Sequence, residues 1–262
     1  MSGLDPIGGA LVDLDGTVYR GESLIPGADR GIRALRDRGV PVLFLSNNSL
    51  KSRAAYADKL TGMGLPAEPA DILNSTVISV EYLLREHPRD EIYVIGESHL
   101  EGELEAAGLS LTDDSAAVDV VLVSMDRSLD YETLSTALDS IDEETTILAT
   151  NPDTTCPVEG GEIPDAGTNV AALEAATGRD LDRVLGKPSS ITVEAAADRL
   201  GVDASQCLMI GDRLETDVRM GVQSGMQTAL VLSGVTDRRD LDGSTIQPDV
   251  VLESLSDLES VL

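Results

Sequence analysis

The sequence predicts an α/β fold, a parallel sheet with helices on both faces, carrying a second α/β segment inserted into the first. Three observations predict it. Short apolar runs alternate with helix-length stretches along nearly all of the 262 residues. Glycines stand just past the last apolar turn of several of these stretches. Several of the apolar runs end in polar clusters. Ala10–Val12, Val40–Leu45, Ile92–Ile95, Val118–Val123, Thr146–Ala149, Cys207–Ile210, Thr228–Leu232 and Val250–Leu252 read as buried strands, because continuous rather than alternating apolarity suits a sheet covered on both faces. Ala28–Arg38, stopped by Gly39, and Ser189–Leu200, stopped by Gly201, read as helices, glycine being the residue that accepts the left-handed conformation at a helix end. Strand and helix in alternation mean parallel pairing. Ligand sites in such sheets gather at the carboxyl ends of strands.

Composition narrows the function classes. The chain holds 47 acidic and 19 basic residues, a formal charge of −28. That excludes a nucleic acid polymer as partner, since such a partner needs a basic face for counterion release. With 42% hydrophobic residues, a soluble globular protein is expected. Only Lys51, Lys59 and Lys187 are lysines, and the aromatics are five Tyr and one Phe. Excess carboxylate, arginine over lysine and an aliphatic core suggest adaptation to high salt, where screening relieves self-repulsion. Two lone cysteines, Cys156 and Cys207, favour a reducing compartment, with no disulfide framework and no spaced zinc pattern. No apolar run has membrane-spanning length and no leader begins at Met1, so a cytoplasmic location without membrane partner is expected.

Read in order, the polar strand ends are Asp13-Leu14-Asp15-Gly16-Thr17, Ser46-Asn47-Asn48-Ser49, Gly186-Lys187-Pro188 and Gly211-Asp212, with Asp217 beyond. Between the second and third, residues 77–183 carry strands without such endings and read as the inserted domain, leaving 1–76 and 184–262 as the core. Asp13 and Asp15, one residue apart at a strand end, share a face in extended geometry and repel unless a cation intervenes. Asp212 is the natural third ligand. Oxygen-only ligation suits Mg²⁺, which also accepts a phosphate oxygen. Asp13 then reads as a nucleophile toward phosphorus, and Asp15 as the acid/base that protonates the leaving alkoxide and later activates water. Thr17 reads as a donor to the nucleophile. The Ser46 hydroxyl, the amides after it and the Lys187 ammonium read as donors to the transferring group. Asp217 reads as an outer carboxylate that orients Lys187 or a metal-bound water. Each cluster alone has a plain structural reading, as a turn, a helix cap or a solvated lysine; their order, each after an apolar run, distinguishes them from chance.

These motifs resemble the haloacid dehalogenase (HAD) superfamily, whose four ordered motifs correspond to Asp13-Leu14-Asp15-Gly16-Thr17, Ser46, Lys187 and Gly211-Asp212-Arg213-Leu214-Glu215-Thr216-Asp217. Ser46 to Arg53, Ala149-Thr150-Asn151-Pro152-Asp153 and Gly186-Lys187-Pro188-Ser189 are similar to the NagD-like branch, with its p-nitrophenyl phosphatases and phosphoglycolate phosphatases. The resemblance implies a Rossmann-like core, a large inserted α/β cap domain, and a Mg²⁺-dependent phosphatase of small phosphate esters acting through an aspartyl phosphate. It implies that Asp13, Asp15 (through its main-chain carbonyl) and Asp212 hold the metal. Ser46, Asn47, Asn48 and Lys187 would hold phosphate or substrate, with the loop around Asp153 to Val158 facing the substrate. Cys156 falls where pyridoxal phosphate phosphatases carry a ring-packing histidine, which favours small aliphatic esters such as phosphoglycolate or glycerol phosphate. The resemblance also allows a homodimer through the cap. Rival readings are a phosphomutase using the same aspartyl phosphate, and a catalytically silent regulatory module that binds phosphate.

Overall fold

Five-residue strands buried along their whole length form the middle of the larger sheet: Gly9–Asp13, Val42–Ser46 and Cys207–Gly211 expose no residue. This is why they read in sequence as unbroken apolar runs rather than as alternations. The computed structural model of the chain describes residues 4–158 and 160–262; the expectation about a leader at Met1 falls outside the described residues. Two compact units are present, one comprising Met1–Ser46, Arg53–Leu73 and Pro188–Leu262, the other Asn47–Ser52 and Asn74–Lys187.

The first unit is built on a six-stranded sheet in the order Val250–Leu252, Gln227–Val231, Cys207–Gly211, Gly9–Asp13, Val42–Ser46, Ile72–Asn74. From Val250–Leu252 across to Val42–Ser46 neighbouring strands pair in parallel, with Val12 opposite Ile210 on one side and Phe44 on the other. Pro41 has no N–H for the ladder, so the strand expected from Val40 begins at Val42, while the Pro41 carbonyl accepts from the Ala10 N–H at 2.9 Å. Helix Ala28–Asp37 buries Ala28, Gly31, Ile32 and Leu35, a helical repeat of three and four residues, with Ala28, Ile32 and Leu35 in the core and Gly31 against the Leu255 backbone. Helix Ser190–Leu200 starts where the Ser189 side chain accepts from the Ile191 N–H at 3.2 Å and stops at Gly201, φ 67°. The core joins Val12, Leu14, Ile32, Leu35, Phe44 and Ile210.

The second unit has its own five-stranded parallel sheet, ordered Arg183–Val184, Thr146–Ala149, Val120–Val123, Glu91–Ile95, Ser110–Leu111. Helices Tyr131–Ser140 and Ala166–Thr177 contribute Ala137, Val170 and Leu173 to a core with Tyr93, Ile95, Val121, Val123 and Ile147. An antiparallel ribbon, Thr155–Val158 with Gly161–Pro164, follows the third long strand. No helix among the described residues is long and apolar enough to cross a membrane.

Phe44 is the single phenylalanine of the chain and is fully buried in the first core. Phe44→Ala is expected to cost about 3–5 kcal/mol, read as a lowered urea midpoint at unchanged slope. A cost below about 1 kcal/mol would mean that the core closes around the deletion.

Candidate active site

Parallel register brings the carboxyl ends of Gly9–Asp13 and Cys207–Gly211 to one level, Val12 facing Ile210. The last residue of one strand is Asp13, and the first residue past the other is Asp212. The chain after Cys207–Gly211 then winds a π-helical turn, Leu214–Val218, in which the Val218 N–H reaches back to the Arg213 carbonyl at 3.2 Å. Such wide turns often mark functional positions. This one turns Asp217 back, so that its Oδ2 accepts from the Arg213 N–H at 3.1 Å. Carboxylate oxygens of Asp13, Asp212 and Asp217 consequently lie within 4.8 Å of one another. The three residues are 8%, 1% and 0% exposed.

Three carboxylates at that separation and burial cannot all carry charge without compensation. Oxygen-only donors, hard and clustered, fit a divalent cation of the Mg²⁺ or Ca²⁺ type. Space is kept for this arrangement by Gly16, at φ 88°, where an added Cβ would stand 2.5 Å from Asp212 Oδ2 and 3.0 Å from the Gly234 Cα. Asp212 Oδ2 also accepts from the Val235 N–H at 2.6 Å, which fixes the carboxylate from the far side.

Asp15 takes a different partner. The strand ends at Asp13, and a tight turn closes on the Leu14 carbonyl, which accepts from Val18 at 2.8 Å. The Asp15 carboxyl therefore meets the hydroxyl of Tyr19, which donates to Oδ2 at 3.1 Å, and does not join the carboxylate cluster. Burial, with the Asp15 carboxylate adding to it, pushes the Tyr19 hydroxyl far above its ordinary range, so it stays a donor. The Lys59 ammonium stands 3.7 Å from the centre of the Tyr19 ring. Thr17 is fully buried with no hydrogen-bond partner for its hydroxyl among the described residues. Ser46, 6% exposed, has its Oγ 3.5 Å from the Tyr56 hydroxyl.

Asn47, Asn48, Cys156 and Lys187 belong to the second unit. Asn48 Oδ1 accepts from the Leu50 N–H at 2.8 Å, and its Nδ2 points to the Cys156 sulfur at 3.8 Å. Lys187 is 4% exposed. Its N–H and carbonyl both pair with the Asn47 side chain, which also donates to Asp153. Tyr19 and Lys59 have no role in the motif reading, and Asp153 enters it only through the Ala149–Asp153 signature and the loop expected to face the substrate, not as a partner of Asn47. Tyr19 sits four residues past Asp15, a spacing that carries no signal until the turn at Leu14 is folded; Lys59 and Asp153 lie farther off in sequence.

Comparison with known proteins gives this geometry a family. Residues 10–110 match the model of the haloacid dehalogenase-like hydrolases, and residues 184–258 match a second, HAD-hydrolase-like model. The sugar-phosphatase AraL of Bacillus subtilis is 36% identical over 250 residues, spanning 95% of this chain and 91% of that protein. The chain belongs to the haloacid dehalogenase-like hydrolases. Another HAD relative, the 5'-nucleotidase YutF of B. subtilis, is 35% identical across 95% of this chain and 96% of its own length. Among solved HAD structures, the p-nitrophenyl phosphatase from Archaeoglobus fulgidus superimposes with a TM-score of 0.91 at 34% identity, covering 98% of this chain and 100% of that one. NagD from E. coli K-12 gives 0.88 at 28% identity, covering 97% and 98%. This HAD protein is a phosphatase, a phosphoric monoester hydrolase, of the type represented by NagD and the p-nitrophenyl phosphatases.

Asp217→Asn is expected to weaken Mn²⁺ or Mg²⁺ binding by about 10- to 100-fold in titration calorimetry. In EDTA the same change is expected to raise the urea midpoint, because it removes one of three mutually repelling buried carboxylates. Unaltered affinity together with an unaltered midpoint would show that the cluster is electrostatically idle.

Proposed function

We propose that this chain hydrolyses small organic phosphate monoesters with Mg²⁺ through an aspartyl phosphate on Asp13. The observation that carries the reading is the division of labour among the carboxylates. Asp13 ends the strand Gly9–Asp13 within 4.8 Å of Asp212 and Asp217, while Asp15 is held separately by Tyr19. Asp13, Asp212 and Asp217 would hold the cation, together with the Asp15 carbonyl in the family pattern. Bound there, Mg²⁺ offsets the carboxylate charge and that of the substrate phosphate.

In the first half-reaction an Asp13 carboxylate oxygen attacks phosphorus, the P–O bond to the alcohol breaks, and Asp15 gives its proton to the departing alkoxide. In the second, Asp15 takes a proton from water, the water oxygen attacks phosphorus, and the acyl-phosphate bond breaks to release phosphate and restore Asp13. Tyr19 contributes by holding one Asp15 oxygen, which fixes the plane in which the proton is exchanged. The roles of Ser46, Asn48 and Lys187 as phosphate and substrate donors follow from their places in the family motifs, as does that of the inserted segment as the cap that selects substrate. Cys156, half-buried, offers no ring to stack on an aromatic substrate. With relatives named as sugar phosphatases, this favours polyol and sugar monophosphates among the substrates.

Phosphate release from p-nitrophenyl phosphate tests the reading. Assays belong in molar KCl, since salt screens a chain of charge −28. Activity is expected with Mg²⁺ and its loss with EDTA, and Asp13→Asn is expected to fold normally while kcat falls by roughly 10³-fold or more. Turnover retained by Asp13→Asn would refute the nucleophile.

A further inference from the structure

We infer that Asn47 is a positioning residue: its side-chain amide clamps the main chain of Lys187 and is itself steered by Asp153. Asn47 Oδ1 accepts the Lys187 N–H at 2.8 Å, and Asn47 Nδ2 donates to the Lys187 carbonyl at 3.1 Å. The two bonds form a closed pair between one side-chain amide and both polar groups of a single residue, 140 positions away. The second Nδ2 hydrogen is taken by Asp153 Oδ2 at 2.9 Å. A primary amide has only two donor hydrogens. Both are spent, so the Asn47 side chain has none for a phosphate oxygen, and its remaining oxygen lone pair would repel one.

The clamp is held from behind. The Asn47 carbonyl accepts from the Ser75 hydroxyl at 2.7 Å and from Asn151 Nδ2 at 3.0 Å. Asn151 Oδ1 in turn accepts from the Asp153 N–H at 2.9 Å, so one fully buried asparagine fixes both ends of the Asn47–Asp153 pair. Gly186 lets the two segments come this close: its N–H donates to the Thr150 carbonyl at 2.9 Å, and an added Cβ would stand 2.7 Å from Asn47 Oδ1. All of these residues lie within one compact unit. A lysine stem has four rotatable bonds, and its ammonium can be aimed only if its Cα is fixed. Asn47 supplies that fixation for Lys187, and Asp153, by occupying the second donor, selects the amide orientation that accepts from the Lys187 N–H.

The inference rests on the reading that Lys187 binds the phosphate, and a double-mutant cycle separates the two. Steady-state hydrolysis of p-nitrophenyl phosphate and competitive inhibition by inorganic phosphate are measured for Lys187→Ala, Asn47→Ala and the double variant. Lys187→Ala is expected to lose activity. Asn47→Ala is expected to lower kcat/KM and weaken phosphate inhibition by about 10- to 100-fold in the otherwise intact enzyme, yet by less than about twofold once Lys187 is absent. Asp153→Ala should show the same dependence on Lys187, and Asp153→Asn, which keeps an acceptor for Nδ2, should recover most of that loss. These Asp153 variants carry the test if Asn47→Ala does not fold. Full activity in Lys187→Ala overturns the phosphate-binding reading. An impaired Lys187→Ala combined with equal losses from Asn47→Ala or Asp153→Ala in both backgrounds, or with none in either, overturns the clamp.

Discussion

Mutual repulsion among Asp13, Asp212 and Asp217 is the constraint around which the first unit is organised. Their oxygens share a space 4.8 Å across with almost no exposure to water. No unaided fold brings three such charges together cheaply. What holds them is a rigid parallel sheet whose buried strands leave the carboxylates nowhere else to go, with the Val235 and Arg213 amides tying Asp212 and Asp217. A cation held among these oxygens would relieve that repulsion, so its binding and the stability of the fold would be linked.

The same economy of placement separates Asp15 from its neighbour. Two residues from Asp13, it would repel that carboxylate if the strand continued; instead the turn on the Leu14 carbonyl hands it to Tyr19. A carboxylate held by a hydroxyl under a lysine-capped ring stands in a different electrostatic setting from one packed among carboxylates. Acid/base work and nucleophilic attack require such a difference between neighbouring carboxyls.

Much of the fold was legible because its central strands are buried on both faces and so are written as plain apolar runs, and because Gly39 and Gly201 mark helix ends without ambiguity. Ile72–Asn74, Ser110–Leu111 and Arg183–Val184 were not legible: two or three residues carry no periodicity, and they become strands only because a neighbouring ladder is there to receive them. The ribbon Thr155–Val158 with Gly161–Pro164 is equally silent, being partly exposed and short of apolar residues. In the candidate site, the strand-end positions of Asp13 and Asp212 follow from the sequence. The inward turn of Asp217 does not, since it depends on one π-helical turn that a five-residue spacing does not announce.

The sequence by itself determined the fold class, the order of the polar strand ends and the phosphatase family, because these depend on local hydrophobicity and on residue types at fixed short spacings. Only the tertiary structure decided which groups meet: Asp217 with Asp13, Tyr19 with Asp15, and Asn47 with the main chain of Lys187 across 140 residues. The physical reason is that side-chain hydrogen bonds and carboxylate clusters are set by the registers of sheets and turns, and register joins residues that no local pattern relates.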